Sequence, residues 1–128
     1  MRIISDGSLG IITVWQEAEG EDLRGKTMVA EVIQERARRS GKSVGEVVLK
    51  LKQFSEWNEN DPRSIRSLLL DDEDPAVQEC AAAWYAASEG SQHAKGATHY
   101  HAAHVRPWWA DKMTEVARHG NHVFYVEA

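Results

Sequence analysis

The residues best suited to chemistry centre on Glu17, a carboxylate at the end of an apolar helical run. The apolar positions of that run are Leu9, Ile11, Ile12, Val14 and Trp15. A carboxylate at the C-terminal end of a buried helix is poorly solvated and feels the negative end of the helix dipole, so its pKa is expected to rise. Such a group can hold a proton near neutral pH and deliver it to a leaving oxygen, as glycosidic cleavage requires. The alternative is a surface helix end with three solvated acids.

A second segment, residues 53–58, interleaves polar and aromatic side chains without a clear period. Gln53, Ser55 and Asn58 supply amide and hydroxyl groups beside the flat faces of Phe54 and Trp57. N-acetylated sugars present amides, hydroxyls and an apolar ring face, so this mixture suits their recognition. The alternative is an ordered loop whose polar groups cap neighbouring helices.

Histidines near the C-terminus raise the question of a metal site. His99 and His101 would point the same way on a strand, and such a pair could share a zinc ion in a metal-dependent amidase. No acidic or cysteine ligand has a recognisable spacing that would complete the site. We therefore expect no metal and no cofactor, with these side chains hydrogen-bonding the backbone or lining a polar cleft.

Nucleophilic hydrolases of the serine or cysteine type are not expected. No small-residue elbow surrounds Ser55. The single cysteine, Cys80, excludes an internal disulfide and falls on the buried face of an alanine-rich helical pattern.

The hydrophobic pattern predicts a mainly α-helical α+β fold with a small antiparallel β element near the C-terminus. Helices are expected at residues 8–19 with Ser8 as N-cap, 26–39 after a short link at 23–25, 44–51 behind a Ser43/Glu46 capping box, 64–70, and from Pro75 to a stop at Gly90. Residues 98–101 and 122–126 are β-prone and could pair as a ribbon, with a brief amphipathic helix at 113–117 between them.

Length and net charge limit the number of domains and the kinds of binding partner that we expect. The 128 residues suit one domain, and we expect a single domain over 1–128 that acts as a monomer. A net charge of −5 argues against nucleic-acid binding, and no apolar run approaches the roughly 20 residues that span a bilayer. The N-terminus is not of the secretory type, so synthesis in the cytoplasm is expected.

Taken together, these motifs resemble the SleB/CwlJ-type cell wall hydrolases of spores, bacteria and bacteriophages. The family pattern W-G-E-A-R-G-E, followed by a helix that ends in N-R, is similar to residues 15–21 and Arg36. Its Q-F-S-x-W is intact at residues 53–57. Its late signature, A-T-H-Y-H-A-D-Y-V-x-P-x-W-A with a final H-x-F-Y, resembles residues 97–110 and 122–125.

The sequence departs from the family pattern at several positions. Glu19 stands where the family commonly has arginine, Glu35 where it has asparagine, and Ala103 and His104 replace an Asp-Tyr pair. These changes affect the local charge and the details of substrate recognition, but they leave Glu17 in place as the candidate acid.

The resemblance implies a lysozyme-like or resuscitation-factor-like domain that degrades peptidoglycan. The small size and the absence of a signal, repeat or anchor look most like a phage endolysin, released to the wall through a holin-type pore or by lysis. Trp108, Trp109, Phe124 and Tyr125 are expected to be structural, with one or two of them stacking on sugars. The residues expected to line and orient the cleft are Gln53, Ser55, Trp57, Thr98, Tyr100 and His101.

The expected reaction is cleavage between N-acetylmuramic acid and N-acetylglucosamine, with Glu17 as the catalytic residue. An ordinary glycosidase needs a second carboxylate. None is marked in the other motifs, which favours a lytic transglycosylase that closes a 1,6-anhydro ring with Glu17 as acid and then base. The alternatives are a hydrolytic muramidase, a zinc-dependent N-acetylmuramoyl-L-alanine amidase and a non-catalytic wall-binding module.

Overall fold

The computed structural model describes residues 5–50 and 73–127, which form four α-helices, one 3-10 helix and three strands. The helices are α1 Asp6–Ala18, α2 Leu23–Ser40, α3 Val44–Lys50 and α4 Pro75–Ser88. The strands are β1 His99–Ala102, β2 Thr114–His119 and β3 His122–Val126, and the 3-10 helix Trp108–Lys112 precedes β2. The predicted helix at 64–70 lies outside the described residues.

The first two helices begin earlier than the sequence pattern predicts, because the capping side chains lie further upstream. Ser5, not Ser8, is the N-cap of α1, and its hydroxyl accepts a hydrogen bond from the Ser8 N–H at 3.1 Å. Asp22 caps α2 by accepting from the Gly25 N–H at 2.8 Å, so the expected link at 23–25 is helical. The predicted stop of α2 is confirmed, since Gly41 adopts a left-handed φ of 69°.

The other two predicted helix starts are confirmed. At α3, the Glu46 N–H donates to the Ser43 hydroxyl at 3.1 Å, and the Ser43 N–H donates to the Glu46 carboxylate at 3.3 Å. This reciprocal pair is a capping box. At α4, Asp74 accepts from the Ala76 N–H at 2.8 Å and Pro75 occupies the first helical turn.

The strands form one antiparallel sheet in the order β1-β3-β2. The predicted pairing of the two β-prone segments is confirmed, with Tyr100 opposite Phe124 and Ala102 opposite His122. The predicted helix at 113–117 is wrong, because residues 114–117 belong to β2 and pair with β3. The two strands are joined by Gly120 and Asn121, and Gly120 has the positive φ (55°) that tight hairpin turns require.

The core lies between the helices and one face of the sheet. Most of its buried side chains come from α1, α2, α4 and β3, and include Val14, Trp15, Met28, Val29, Ile33, Cys80, Trp84 and Phe124. Helix α2 is the central element, since it packs against α1, α3, α4 and β1. A smaller cluster, formed by Ala110, Val123 and Tyr125, covers the opposite face of the sheet. No helix in the described ranges is both long and apolar enough to cross a membrane.

Gly10 allows α1 and α4 to approach closely. A Cβ atom at this position would lie 2.3 Å from the Trp84 ring, far inside van der Waals contact. Trp84 is itself almost fully buried. The indole therefore occupies the space that any larger residue at position 10 would need.

We expect Gly10→Ala to lower the free energy of unfolding by about 1–3 kcal/mol, the usual cost of overpacking. The matched control is Gly7→Ala in the same helix, where a Cβ would lie 3.9 Å from Trp84 Nε1 in ordinary contact. That variant should be unchanged or more stable by up to about 1 kcal/mol, because alanine favours helix over glycine. Urea unfolding followed by circular dichroism measures both, and equal stabilities would contradict this account of the packing.

Candidate active site

Glu17 and Tyr100 meet at the junction between the helices and the sheet. Glu17 is half-buried in the last turn of α1, and Tyr100 extends from β1. The Tyr100 hydroxyl donates a hydrogen bond to Oε1 of Glu17 at 2.6 Å across 83 residues of sequence. Two of the predicted site residues therefore lie together, and the short bond holds the carboxyl group in one orientation.

The Tyr100 ring is supported by neighbours from two elements, β3 and α3. It lies edge-on to His122 at 5.1 Å between ring centroids and 5.9 Å from the Phe124 ring. It also packs beside Val47 of α3. Because this packing restricts the phenol, the hydroxyl is directed at Glu17 before any substrate arrives.

Arg36 brings positive charge to this part of the site. Its half-buried side chain extends from α2, and burial lowers the pKa of the guanidinium while Glu127 and Tyr100 oppose that shift. The pKa of His99 is lowered mainly by its own burial and further by the positive charge of Arg36. Arginine stays charged despite such shifts, so Arg36 favours negative charge near Tyr100.

The side chain of Glu21, which is only 6% exposed, lies against the β2–β3 turn, a contact that the sequence did not predict. Its Oε1 accepts from the Asn121 N–H at 3.0 Å, and its Oε2 accepts from Asn121 Nδ2 at 3.3 Å. His122 Nδ1 lies 3.5 Å from Oε1. The available sequence signal was an acid directly after the Gly20 stop, within the motif that contains Glu17.

His119, which the sequence did not connect to the site, binds the same loop. Its Nε2 lies 2.7 Å from Oδ1 of Asp22, the residue that caps α2. The hydrogen bond from Gly25 and the contact with His119 lower the pKa of Asp22. Two consecutive acids after α1 are thus both held by the β2–β3 hairpin.

Thr98 is engaged within the sheet and makes no described contact with Glu17. Its buried hydroxyl accepts from the Glu127 N–H at 2.9 Å and lies 3.0 Å from His99 Nδ1. This arrangement closes the end of the β1–β3 pair. The structure gives Thr98 a role in the sheet and does not bring it to the acid.

His101 faces away from the Glu17 side, because adjacent residues of a strand point to opposite faces. Its Nδ1 lies 2.7 Å from the Ala102 carbonyl oxygen and its Nε2 lies 2.9 Å from the Tyr125 hydroxyl. The ring is stacked on Tyr125 and touches Trp109 at 5.7 Å between centroids. The structure therefore does not bring His101 together with Tyr100 and Glu17.

The remaining predicted residues divide into three groups. Phe124 and Tyr125 are buried and Trp109 packs on Tyr125, as expected of structural residues. Trp108, in contrast, is 76% exposed. Gln53, Ser55 and Trp57 lie outside the described residues, so their place in the cleft stays a prediction.

Cys80 and the histidines offer no rival reaction centre in the described ranges. Burial raises the pKa of the Cys80 thiol to about 11, which keeps it protonated and poorly nucleophilic at neutral pH. Across residues 5–50 and 73–127, no three histidine, cysteine, aspartate or glutamate side chains are grouped so that they could hold a metal ion.

The sequence and the fold were compared with those of known proteins. The chain matches the family model described as Cell Wall Hydrolase over residues 20–125. Its fold is similar to a solved structure, the catalytic domain of the germination-specific lytic transglycosylase SleB from Bacillus anthracis. The TM-score is 0.67 at 20% sequence identity, covering 94% of this chain and 93% of that chain. No curated protein sequence matches the chain.

The chain therefore belongs to the cell wall hydrolase family, and the SleB/CwlJ-type resemblance inferred from its motifs is confirmed. The α+β, mainly helical, lysozyme-like fold is confirmed as well. The protein is an enzyme of cell wall degradation.

We expect lytic activity on purified walls to survive EDTA. The ring nitrogens of His101 are engaged by Ala102 and Tyr125, and His99 Nδ1 by Thr98, which leaves this pair poorly disposed to share a metal ion. Turbidity loss with and without the chelator measures this. Loss of activity that zinc restores would instead support the amidase alternative.

Proposed function

We propose that this protein cleaves the bond between N-acetylmuramic acid and N-acetylglucosamine as a lytic transglycosylase. The observation that carries the proposal is the carboxyl group of Glu17, held by Tyr100 at the helix–sheet junction. Membership of the cell wall hydrolase family supplies the polymer, peptidoglycan. The similar SleB domain is that of a lytic transglycosylase, which agrees with the proposed chemistry.

In the first step, protonated Glu17 donates its proton to the glycosidic oxygen. The C1–O bond breaks, and the departing sugar leaves with a new hydroxyl group. The muramic ring develops oxocarbenium character, and the acetamido group of the same sugar stabilises C1. Tyr100 keeps its hydrogen bond to Oε1 and holds the carboxyl group in place while the charge on Glu17 changes.

In the second step, ionised Glu17 accepts the proton of the C6 hydroxyl. The C6 oxygen bonds to C1, and the product is a 1,6-anhydro-muramic end with no water consumed. Glu17 returns to its protonated form, so one residue completes the cycle. Donation from Tyr100 favours the ionised carboxylate that this step requires.

The surroundings of Glu21 make it a poor candidate for the second carboxylate of a hydrolytic route. A hydrolytic muramidase would need a second carboxylate to stabilise C1 or to activate water. Glu21 belongs to the same motif as Glu17, but its side chain is only 6% exposed and its oxygens accept hydrogen bonds from Asn121. It is therefore poorly placed to reach a sugar or an attacking water.

The family motifs suggest which residues contact the substrate. We propose that Gln53, Ser55 and Trp57 recognise the N-acetyl groups and sugar faces. We also propose a phage endolysin that is made in the cytoplasm, acts as a monomer on glycan strands and reaches the wall after holin-type release or lysis. The sequence resemblance supports these assignments.

Fragments released from purified peptidoglycan should carry 1,6-anhydro-muramic ends. Mass spectrometry distinguishes them from hydrolysis products, because the anhydro end lacks one water. Free reducing muramic ends would mean hydrolysis and would require a second acid. Cleavage of the amide between lactyl group and stem peptide would move the protein to the amidase class.

Glu17→Gln should abolish turnover while the fold and wall binding persist. Glutamine is nearly isosteric and its amide oxygen can still accept from Tyr100, but it cannot deliver a proton. Proton transfer contributes about 10²–10⁴-fold to the rate, and here one group would serve as both acid and base. Turbidity loss of permeabilised cells, a wall pull-down and circular dichroism measure these three properties.

The control for this experiment is Glu19→Gln. Residue 19 is turned about 200° around the helix from residue 17, so it points elsewhere. This variant should keep a substantial part of the rate. A Glu17→Gln protein that still clears the suspension would show that the acid is another residue.

A further inference from the structure

The turn that follows α1 buries the carboxylate of Glu21 beneath the β2–β3 hairpin. Burying a carboxylate is costly unless hydrogen bonds replace the lost water. Here the replacement comes from the backbone and side chain of Asn121. Gly120 leaves the necessary space, since a Cβ at that position would lie 2.3 Å from Oε1 of Glu21. The hairpin turn is therefore shaped around this carboxylate.

His122 links the buried carboxylate to the Tyr100 ring. Its side chain is 10% exposed, and Nδ1 lies 3.5 Å from Oε1 of Glu21 without a closer partner among the described residues. The same ring makes the edge-on contact with Tyr100 at 5.1 Å. Burial lowers the pKa of His122, with Glu21 acting in the opposite direction, so the imidazole is mainly neutral at neutral pH. Because the His122 ring contacts both residues, a displacement of Glu21 would also move the Tyr100 ring.

A covalent connection joins the same groups from the other side. Glu21 lies only four residues beyond Glu17, and its N–H donates to the Ala18 carbonyl at 2.9 Å to close the turn. On the sheet, Ala102 pairs with His122 in the same β1–β3 ladder that holds Tyr100. The carboxylate of Glu21 thus joins the end of α1 to β3, and β3 joins to the strand that carries Tyr100.

These contacts connect the end of α1 to β3, and β3 to β1. They therefore set the separation between Glu17 and Tyr100, the two partners of the catalytic hydrogen bond. Tyr100 and Glu17 come from different layers, and a hydrogen bond weakens steeply as its distance and angle change. The contact of Asp22 with His119 holds the neighbouring residue to the same hairpin and limits rotation of the turn. The two acids together fix where the end of α1 lies relative to the sheet.

We infer that Glu21 is a positioning residue for the catalytic acid: its contacts with Asn121 and His122 hold the end of α1 so that Tyr100 reaches Glu17. Glu21 does not touch the sugar and exchanges no proton with it. The inference rests on the proposed function of Glu17. It gives Glu21 a structural task in the active site, which differs from the task of a second catalytic carboxylate.

The test compares Glu21→Ala, Glu21→Gln, Tyr100→Phe and the Glu21→Ala/Tyr100→Phe double variant on soluble glycan strands. Glu21→Ala should reduce kcat by about 10²-fold with little change in KM, the scale of loss expected for a misplacement near 1 Å. Tyr100→Phe should lose a similar factor. The double variant should be no more than about 2-fold worse than either single variant, because both changes disrupt one interaction.

The pH profile separates positioning from a purely structural role. The general acid must be protonated, so activity falls as pH rises on the alkaline side. Weakening Tyr100 donation disfavours the ionised carboxylate, which moves that fall to higher pH. Glu21→Ala and Tyr100→Phe should both shift it in this direction. Lower thermal stability with an unchanged profile and unchanged kcat would overturn the inference.

Glu21→Gln distinguishes positioning from proton transfer. The amide oxygen can still accept from the Asn121 N–H, so this variant should retain most of the kcat that Glu21→Ala loses. A Glu21→Gln variant as inactive as Glu17→Gln would make Glu21 catalytic and overturn the inference. If Glu21→Ala does not fold, Glu21→Asp replaces it, because one methylene less should withdraw the carboxylate from Asn121 and lower kcat.

Glu115→Ala is the matched control on the same hairpin. Its exposed carboxylate pairs with Arg118, and the variant should keep the wild-type kcat and pH profile. The Glu17→Gln result tells the two failures apart. An active Glu17→Gln would refute the proposed function, whereas an inactive Glu17→Gln with a normal Glu21→Ala would refute the positioning role alone.

Discussion

The hydrogen bond from the Tyr100 hydroxyl to Glu17 is the interaction on which the rest of this structure depends. It joins the last turn of α1 to β1, and so connects the helical layer to the sheet at the place where chemistry is proposed. Neither partner can be moved independently, because α1 is packed on Trp84 at Gly10 and the Tyr100 ring is packed on His122 and Phe124. The site is therefore built on rigid elements.

Two acids of one short motif have very different environments. Glu17 is half-buried at the end of a helix with a tyrosine donor, whereas Glu21 is held by a backbone amide and an asparagine beneath a turn. Environment, not residue type, decides which carboxyl group can exchange a proton with substrate. This contrast explains how a motif with several acids can support a mechanism that uses one of them.

The two faces of the small sheet divide the late aromatic motif into two functions. Tyr100, His122 and Phe124 face the helices and the candidate acid, while His101 and Tyr125 face the 3-10 helix on the other side. Successive side chains of a strand point to opposite faces of a sheet, so neighbouring residues such as Tyr100 and His101 must lie on different faces. Histidines that look like a metal pair in the sequence therefore serve to hold the sheet to its cover.

Local sequence signals determined several helix starts, the candidate acid and the fold class of this protein. The capping box at Ser43, the Asp74-Pro75 start of α4 and the motif around Glu17 all depend on residues close in the chain, and the fold class followed from them. The amphipathic pattern at 113–117 predicts a helix, but β2 forms there because its pairing with β3 outweighs so short a pattern. The burial of Glu21 and the meeting of Tyr100 with Glu17 were decided by the tertiary structure alone. These contacts join residues 100 and 83 positions apart in the chain, and no local periodicity encodes how a helix end and a hairpin turn approach each other.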